Sequence, residues 1–247
     1  MAIRAVVFDL GGTLIEYSGQ YDSWPDLEIP GFAAAYESLS LASLAMPLAD
    51  AFQAVGLAAL PARWQRATEG GPNLALAAFL GEVAAECEID ASEVHLSQAA
   101  ERYEQAICDR GEPLPGGAEM LGALRQAGFK LGLISNTMFR GEIHRRDLAR
   151  FGLDEYFDYM LFSANAEVWK PQPEIFWHIL EKLGVSPEEA VYVGDSPEHD
   201  IVGAKAAGMW VIHFPSTKRA RKQVEVEPDA TIQALSALPD ALATLVA

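Results

Sequence analysis

Short apolar runs alternate with stretches of helical periodicity along the chain from residue 114 onward. This alternation is typical of βαβ units, in which parallel strands lie side by side and helices cover the sheet. Strands buried on both faces are short, apolar and rich in β-branched residues. Such runs predict strands at Arg4–Leu10, Lys130–Ile134, Tyr159–Phe162, Ala190–Val193 and Trp210–Phe214. The pattern therefore predicts an α/β fold with a parallel sheet.

The segments between and after these strands repeat apolar residues at helical spacing. They predict helices at Gly117–Ala127, Arg140–Phe151, Pro173–Leu183, His199–Ala207 and Thr231–Leu245. A glycine follows each of the first four, at Gly128, Gly152, Gly184 and Gly208. Glycine is favoured just past a helix end because it takes a left-handed φ without steric cost. We therefore expect these helices to end at the glycines.

The segment between the first two predicted strands has a different pattern. It is rich in alanine and leucine and lacks a convincing strand signal. We expect residues 18–109 to form an inserted all-helical domain, with residues 1–17 and 110–247 forming the core. Its opening, Ser18–Pro30, contains glycine, proline and aromatic residues and is expected to be a loop or flap.

Composition and charge exclude several classes of function. The chain has 247 residues, 50% of them hydrophobic, and a net charge of −17, which disfavours binding to nucleic-acid phosphates. The basic run Lys218–Lys222 is interpreted as a solvated loop. No apolar stretch reaches the ~20 residues that span a bilayer, and Asp9 interrupts the N-terminal apolar run, so we expect no signal peptide and no membrane partner. A cytoplasmic protein is expected. Cys87 and Cys108 lack the spacing of a disulfide framework or a zinc site.

Polar residues follow the predicted strands where the strands end. Asp9–Thr13 follows the first strand, Ser135–Thr137 the second, a loop leading to Lys170 the third, and Gly194–Ser196 the fourth, with Asp200 further on. Each alone is better explained as an ordinary turn, loop or helix-cap residue. Ligands of parallel α/β sheets bind at the carboxyl ends of the strands, so together these residues predict one shared site.

Four segments in this order resemble the motifs of the haloacid dehalogenase superfamily. They are Val7–Thr13 (VFDLGGT), Ile134–Asn136 (ISN), Lys170–Phe176 (KPQPEIF) and Val193–Ala204 (VGDSPEHDIVGA). The resemblance covers the chain apart from the helical insert, and Pro228–Ile232 looks like the family's entry into its last helix. It implies a Rossmann-like core, a helical cap and a hydrolase that acts on a small phosphorylated molecule. The association state, monomer or homodimer, stays open.

The resemblance also implies a mechanism. A phosphate ester repels an anionic nucleophile, so cations must neutralise the phosphoryl oxygens. Asp9 would attack the phosphorus to form an aspartyl-phosphate, while Lys170 and Ser135 contact the transferring group. Mg²⁺ prefers oxygen ligands, and Asp9, Asp195 and the Gly11 carbonyl would bind it.

The remaining assignments concern support and substrate binding. Asp200 is expected to orient Lys170 or Ser196. Thr13 and Asn136 are expected to hydrogen-bond the loops that carry Asp9 and Ser135. By the same resemblance, we expect Gly11, Gly12 and Asn136 to bind the substrate.

Position 11 departs from the family pattern. Most phosphatases of this superfamily carry a general-acid aspartate two residues after the nucleophile, and here that residue is Gly11. General acid catalysis contributes about 10²–10⁴-fold, so poor leaving groups should depart slowly unless another group supplies the proton. Glu16, Asp22 and Glu167 are candidates for that role.

Three functions remain open at this point. The chain is a phosphatase with a substitute acid or an undemanding substrate, a carbon–halogen or carbon–phosphorus hydrolase of the same superfamily, or a catalytically weak protein that binds a phosphorylated ligand. The second is disfavoured because Asp195 looks metal-binding and Ser18–Cys108 contains no lysine for a Schiff base. Aromatic packing or a solvated helix face explains each of the following residues better than a substrate pocket does, but they are the candidates to line one: Tyr21, Trp24, Arg63, Trp64 and Arg66.

Overall fold

The computed structural model describes residues 2–17, 24–216 and 224–245. Tyr21, Asp22 and the basic run Lys218–Lys222 lie outside the described residues, as does the first part of the predicted flap, residues 18–23. The strands are β1 Ala5–Phe8, β2 Ile15–Glu16, β3 Glu112–Pro113, β4 Lys130–Ser135, β5 Tyr159–Phe162, β6 Ala190–Gly194, β7 Trp210–His213 and β8 Ala230–Thr231. The α-helices are α1 Ile29–Leu41, α2 Ala49–Thr68, α3 Leu76–Glu86, α4 Glu93–Cys108, α5 Gly117–Gln126, α6 Gly141–Arg150, α7 Ser163–Ala166, α8 Pro173–Leu183, α9 Val202–Ala206 and α10 Leu238–Leu245.

A parallel sheet in the order β5-β4-β1-β6-β7-β8 forms the centre of the molecule. Phe8 at the end of β1 is in register with Leu133 of β4 and Val193 of β6. The carboxyl ends of the three central strands therefore meet at one edge. The predicted α/β fold with a Rossmann-like parallel sheet is confirmed.

Strand residues point alternately to two helical layers. Val6 and Phe8 of β1 belong to a cluster with residues of α5 and α10, whereas Ala5 and Val7 belong to a cluster with residues of α8 and α9. Burial on both faces accounts for the nearly continuous apolar runs in these strands.

Helices α1–α4 enclose a separate hydrophobic cluster, and we call the described residues 24–109 the helical insert. Phe32 lies at its centre, with ring centroids of Phe52, Phe79 and Tyr103 between 5.1 and 6.4 Å away. The cluster continues onto Met138 and Trp169, which precede α6 and Lys170 respectively. The insert is thus packed directly on the loops at the carboxyl edge of the sheet.

The end of the chain differs from the prediction. Instead of one helix from Thr231, Ala230–Thr231 forms β8, a 3₁₀ turn spans Leu235–Ala237, and α10 begins at Leu238. Ile212 and His213 of β7 pair with Ala230 and Thr231. The Asp229 carboxylate also accepts a 2.7 Å hydrogen bond from the Val211 N–H. These contacts hold β8 extended beside β7. The prediction that this helix begins at Thr231 was therefore wrong, because the helix begins seven residues later, at Leu238.

The other predicted helices end as expected. Gly128, Gly152, Gly184 and Gly208 all take left-handed φ values, between 62° and 87°. Among the described helices, not one is both long and apolar enough to cross a membrane.

Candidate active site

A buried lysine and two carboxylates meet at the carboxyl edge of the sheet. Lys170 Nζ lies 2.6 Å from Asp9 Oδ1 and 2.7 Å from Asp200 Oδ1. Asp9 follows β1, Lys170 lies between β5 and α8, and Asp200 follows β6, so the meeting results from the parallel topology. The Lys170 side chain is only 2% exposed, and a buried charge of this kind requires paired partners.

Two further acceptors surround the same ammonium group. Lys170 Nζ donates to the hydroxyl oxygen of Tyr192 at 2.9 Å and approaches the carbonyl oxygen of Ile134 at 3.3 Å. Tyr192 is a completely buried residue of β6. Lys170 is therefore held from several directions by β1, β4, β6 and the turn after β6.

A wide helical turn positions Asp200. Residues Pro197–Ile201 form a π-helical turn, and π turns often occur at functional sites. The Asp200 Oδ2 atom accepts a 2.8 Å hydrogen bond from the Ser196 N–H, while its Oδ1 atom binds Lys170. Asp200 thus contacts both groups that the sequence analysis named for it.

Three buried carboxylates approach one another closely. Asp9, Asp195 and Asp200 each offer an oxygen atom, and these atoms lie within 4.8 Å of one another. Lys170 forms ion pairs with two of them, Asp9 and Asp200. Several buried carboxylates at one place require cations to neutralise them, and an oxygen-only donor set suits Mg²⁺. The residues therefore fit a divalent cation.

Gly12 allows Asp195 to approach the nucleophile loop. Gly12 has a φ of +90°, and a Cβ atom added there would lie 2.6 Å from Asp195 Oδ2. A side chain at position 12 would displace the Asp195 carboxylate. The Gly12 N–H itself donates to the Ile15 carbonyl at 2.8 Å, so it already has a partner within the loop that carries Asp9.

Burial and charge shift the pKa values of these groups. Burial alone would lower the pKa of Lys170, but Asp200 and Asp9 outweigh it and raise that pKa above its usual value. Burial raises the pKa of Asp9, against the opposing effect of Lys170. Burial would also raise the pKa of Asp200, but Lys170 and the Ser196 N–H outweigh it and lower that pKa. Lys170 is thus protonated, and Asp200 is the ionised carboxylate that pairs with it.

Comparison with known proteins decides the family. The model of the haloacid dehalogenase-like hydrolases matches residues 3–208. The chain belongs to the haloacid dehalogenase-like hydrolase family. It is a hydrolase of that superfamily, as its ordered motifs indicate.

Three relatives illustrate the range of this family. The chain is 38% identical over 117 residues to glyceraldehyde 3-phosphate phosphatase of Methanopyrus kandleri, a match that spans 47% of this chain and 48% of that protein. It is 32% identical to phosphoglycolate phosphatase of Salmonella paratyphi A, over 83% of this chain and 79% of the relative. The crystal structure of a 2-haloacid dehalogenase from Pseudomonas syringae pv. tomato superimposes with a TM-score of 0.67 and 27% identity, covering 98% and 99% of the two chains.

Thr13 and Asn136 were expected to hydrogen-bond the loops that carry Asp9 and Ser135, and the partner of Asn136 differs from that expectation. Thr13 Oγ1 donates to Asp9 Oδ2 at 3.3 Å. Asn136, expected to hydrogen-bond the loop of Ser135, instead joins that loop to Lys170, donating to its carbonyl and accepting from its N–H, both at 2.8 Å. Both polar atoms of the Asn136 side chain therefore hydrogen-bond the backbone of Lys170.

Ser135 ends β4 next to this pair and is 5% exposed. No hydrogen bond of its hydroxyl to another described residue is found. A bound phosphoryl group is a suitable partner for it.

The candidate replacement acids of this hydrolase occupy different environments. Glu16 is buried in β2, opposite Glu112 of β3. Glu167 is exposed at the end of α7, with a φ of 57°, three residues before Lys170. Both remain candidates for proton transfer.

Tryptophans connect the helical insert to the loop of Lys170. The Trp64 ring lies 5.0 Å from the buried Trp169 ring and 5.5 Å from that of Trp24, which is 41% exposed. Trp169 Nε1 donates to Asn73 Oδ1 at 2.9 Å. Of the predicted pocket residues, Trp24 and Trp64 are therefore joined to the site through Trp169.

The two arginines proposed for a pocket lie differently. Arg63 forms a 2.7 Å ion pair with Glu82, and Arg66 is exposed on α2. Trp169, Asn73 and Tyr192 carry no sequence motif that predicts a role in the site. For Trp169, its position directly before the Lys-Pro pair could have drawn attention.

Proposed function

We propose that this protein is a Mg²⁺-dependent phosphatase that hydrolyses a small phosphorylated metabolite through an aspartyl-phosphate at Asp9. The observation that carries the proposal is the 2.6 Å contact between Lys170 Nζ and Asp9 Oδ1 inside a cluster of three buried carboxylates. A carboxylate nucleophile beside a fixed cation suits attack on an anionic ester.

Asp9, Asp195 and the carbonyl of Gly11 would hold Mg²⁺. When bound, the ion supplies positive charge that offsets the charge of the phosphoryl oxygens. Asp200 would instead orient Lys170 and the Ser196 backbone, because its two oxygens accept hydrogen bonds from Lys170 and the Ser196 N–H.

The chain's own residues would divide the reaction as follows. Lys170 and the Ser135 hydroxyl bind and orient the phosphoryl group. An Asp9 oxygen attacks phosphorus, the bond from phosphorus to the ester oxygen breaks, and the leaving alkoxide takes a proton. Water then hydrolyses the aspartyl-phosphate and regenerates Asp9.

The source of the leaving-group proton is the unusual part of this proposal. Gly11 has no side chain to supply it, so Glu16, Asp22, Glu167 or solvent would do so, or the substrate would have a leaving group that needs little protonation. The helical insert, within residues 18–109, would act as the cap that covers the substrate, because it packs on Trp169 beside Lys170.

The relatives support the class of substrate. Proteins named for phosphoglycolate and glyceraldehyde 3-phosphate are similar to this chain, and both substrates are small phosphorylated metabolites. The similarity to a 2-haloacid dehalogenase supports a different reaction. Against that reaction, displacement of a halide needs no metal, whereas the site brings together three buried carboxylates that suit a divalent cation.

The test is a panel of phosphomonoesters and 2-haloacids, each assayed with and without Mg²⁺. Wild type should release phosphate from at least one ester only with Mg²⁺, and Asp9→Asn should reduce turnover by about 10³-fold or more because the nucleophile is lost. Asp154→Asn removes an exposed carboxylate before β5 and should retain full activity. Surviving activity in Asp9→Asn would refute the covalent mechanism, and halide release without metal would favour a dehalogenase.

The absence of an acid at Gly11 favours one alternative, a protein that binds a phosphorylated ligand and turns it over weakly. This alternative predicts tight binding of phosphate or tungstate by calorimetry, together with no detectable turnover across the whole panel.

A further inference from the structure

The Lys170 ammonium group has neutral hydrogen-bond acceptors in addition to its two carboxylate partners. An ammonium group has three N–H donors, and three strong acceptors surround this one: Asp9 Oδ1 at 2.6 Å, Asp200 Oδ1 at 2.7 Å and the Tyr192 hydroxyl at 2.9 Å. The Ile134 carbonyl at 3.3 Å is a more distant fourth. The phenol therefore supplies the third partner, and it is the neutral one.

Packing fixes the phenol in place. Tyr192 is fully buried in β6, and its ring meets the Phe176 ring edge-on, with centroids 5.1 Å apart and an interplanar angle of 71°. Its neighbours in that layer are apolar residues of α8 and α9. A buried hydroxyl without a partner is costly, and this one accepts from Lys170 and donates to the Ile134 carbonyl at 3.4 Å.

We propose that Tyr192 is a positioning residue that fixes the Lys170 ammonium between Asp9 and Asp200, so that one orientation of the lysine is presented to the phosphoryl group. The proposal rests on the proposed function, because that function gives Lys170 its task. Without the hydroxyl, the third N–H of Lys170 would have only the more distant Ile134 carbonyl, at 3.3 Å, as its acceptor. The ammonium could strengthen that bond only by moving toward Ile134, away from its position between Asp9 and Asp200.

The protonation state of Tyr192 agrees with this role. Burial, reinforced by the carboxylates of Asp200 and Asp9, raises the pKa of Tyr192 well above the usual value for a phenol. Tyr192 is thus a neutral acceptor for the lysine and adds no further negative charge to the carboxylate cluster.

The first test is Tyr192→Phe, which keeps the ring packed on Phe176 and removes only the hydroxyl. We expect kcat to fall by about tenfold or more, since hydrogen bonds to charged groups are among the stronger ones, with KM changing less than about threefold. The matched control is Tyr103→Phe in the helical insert. Tyr103 is also buried, and its hydroxyl donates to Glu28 Oε2 at 3.0 Å, so this variant loses a comparable bond that does not involve Lys170. It should leave kcat within about twofold of wild type.

The second test reads Lys170 itself and needs no turnover. In protein labelled with ¹⁵N-lysine, the side-chain ammonium signal of Lys170, assigned by its loss in Lys170→Arg, should shift in Tyr192→Phe and stay unchanged in Tyr103→Phe. If wild type hydrolyses no phosphate ester, the proposed function fails, and the ammonium signal alone decides whether Tyr192 holds the lysine. An unshifted signal in folded Tyr192→Phe overturns the proposal, even if kcat falls, because the residue would then act only through stability.

Discussion

Asn136 holds Lys170 by its backbone. The side-chain amide donates to the Lys170 carbonyl and accepts from the Lys170 N–H, with both distances 2.8 Å. Asn136 directly follows Ser135, so this pair of bonds fixes the loop after β4 to the loop that carries the lysine. The side chain of Lys170 is anchored by Asp9, Asp200 and Tyr192, and its backbone by Asn136.

Replacing Asn136 by alanine should therefore lower activity by loosening Lys170. Two hydrogen bonds are lost, each worth about 0.5–1.5 kcal/mol, so we expect a loss of about 1–3 kcal/mol in the free energy of unfolding. We expect kcat/KM to fall at least tenfold, because small misplacements of a positioning group are costly. The measurements are urea unfolding and steady-state kinetics.

Asn165→Ala is the control for that variant. Its side chain also bonds a backbone group, accepting from the Gly141 N–H at 2.8 Å, but it does not contact Lys170. It should lose stability with little change in kcat/KM. Equal kinetic losses in both variants would show that the backbone contact to Lys170 has no particular role.

Supplying an acid at position 11 should restore proton transfer. Unlike Gly12, Gly11 has no left-handed φ, so a side chain is tolerated by the backbone there. Gly11→Asp should speed hydrolysis of alkyl phosphates by about tenfold or more and change that of p-nitrophenyl phosphate much less, because nitrophenolate needs no proton to leave. Gly11→Asn has the same shape without the acid and should give no such selectivity. An equal change for both substrates in Gly11→Asp would contradict a missing general acid.

A side chain at Gly12 should disturb the carboxylate cluster. An alanine Cβ would lie 2.6 Å from Asp195 Oδ2 and would also require a non-glycine residue at a φ of +90°. We expect a loss of about 1–2 kcal/mol from the backbone strain, and at least a tenfold rise in the Mg²⁺ concentration needed for half-maximal activity.

Gly128→Ala separates these two effects. Gly128 has a similar φ of +87°, yet nothing lies within 4 Å of its added Cβ. Both variants should lose stability in thermal unfolding, whereas only Gly12→Ala should change the Mg²⁺ requirement. A normal Mg²⁺ requirement in Gly12→Ala would argue against Asp195 as a ligand.

The convergence of Asp9, Lys170 and Asp200 was predictable because parallel strands bring their carboxyl ends to one edge. Tyr192 was not predictable, since a tyrosine inside an apolar strand is ordinary core in sequence. Its importance arises only when a lysine that is 22 positions away in the chain approaches its hydroxyl.

Two other differences have the same origin. Asn136 was expected to bond its own loop, but its partner is the backbone of Lys170, 34 positions further along. The start of the last helix was misplaced because Ala230 and Thr231 pair with the edge of β7. Local pattern predicts which element forms, whereas contacts between distant loops and strand edges are decided by the assembled fold.

His144 should make stability depend on pH. It is buried between the rings of Phe139 and Phe162, at centroid distances of 5.7 and 5.3 Å with interplanar angles of 17°, and its Nε2 atom lies 2.8 Å from Thr137 Oγ1. Burial lowers the pKa of His144 from 6.5 to about 4. Between these values the unfolded chain binds a proton that the folded protein does not bind. The contribution of His144 to the free energy of unfolding is therefore fully present above about pH 6.5. It is lost as the pH falls toward 4, which lowers the free energy of unfolding by about 3 kcal/mol in total.

His144→Gln removes the titrating group while keeping a side chain that can bond Thr137. The free energy of unfolding, measured in urea at several pH values between 4 and 7, should therefore fall less steeply with acid in His144→Gln than in wild type. Above pH 6.5 the variant should be less stable than wild type because the ring stacking is lost. The difference between the two proteins should shrink as the pH falls, since only wild type then loses the contribution of its neutral imidazole. Parallel curves throughout this range would show that His144 is not held neutral in the folded protein.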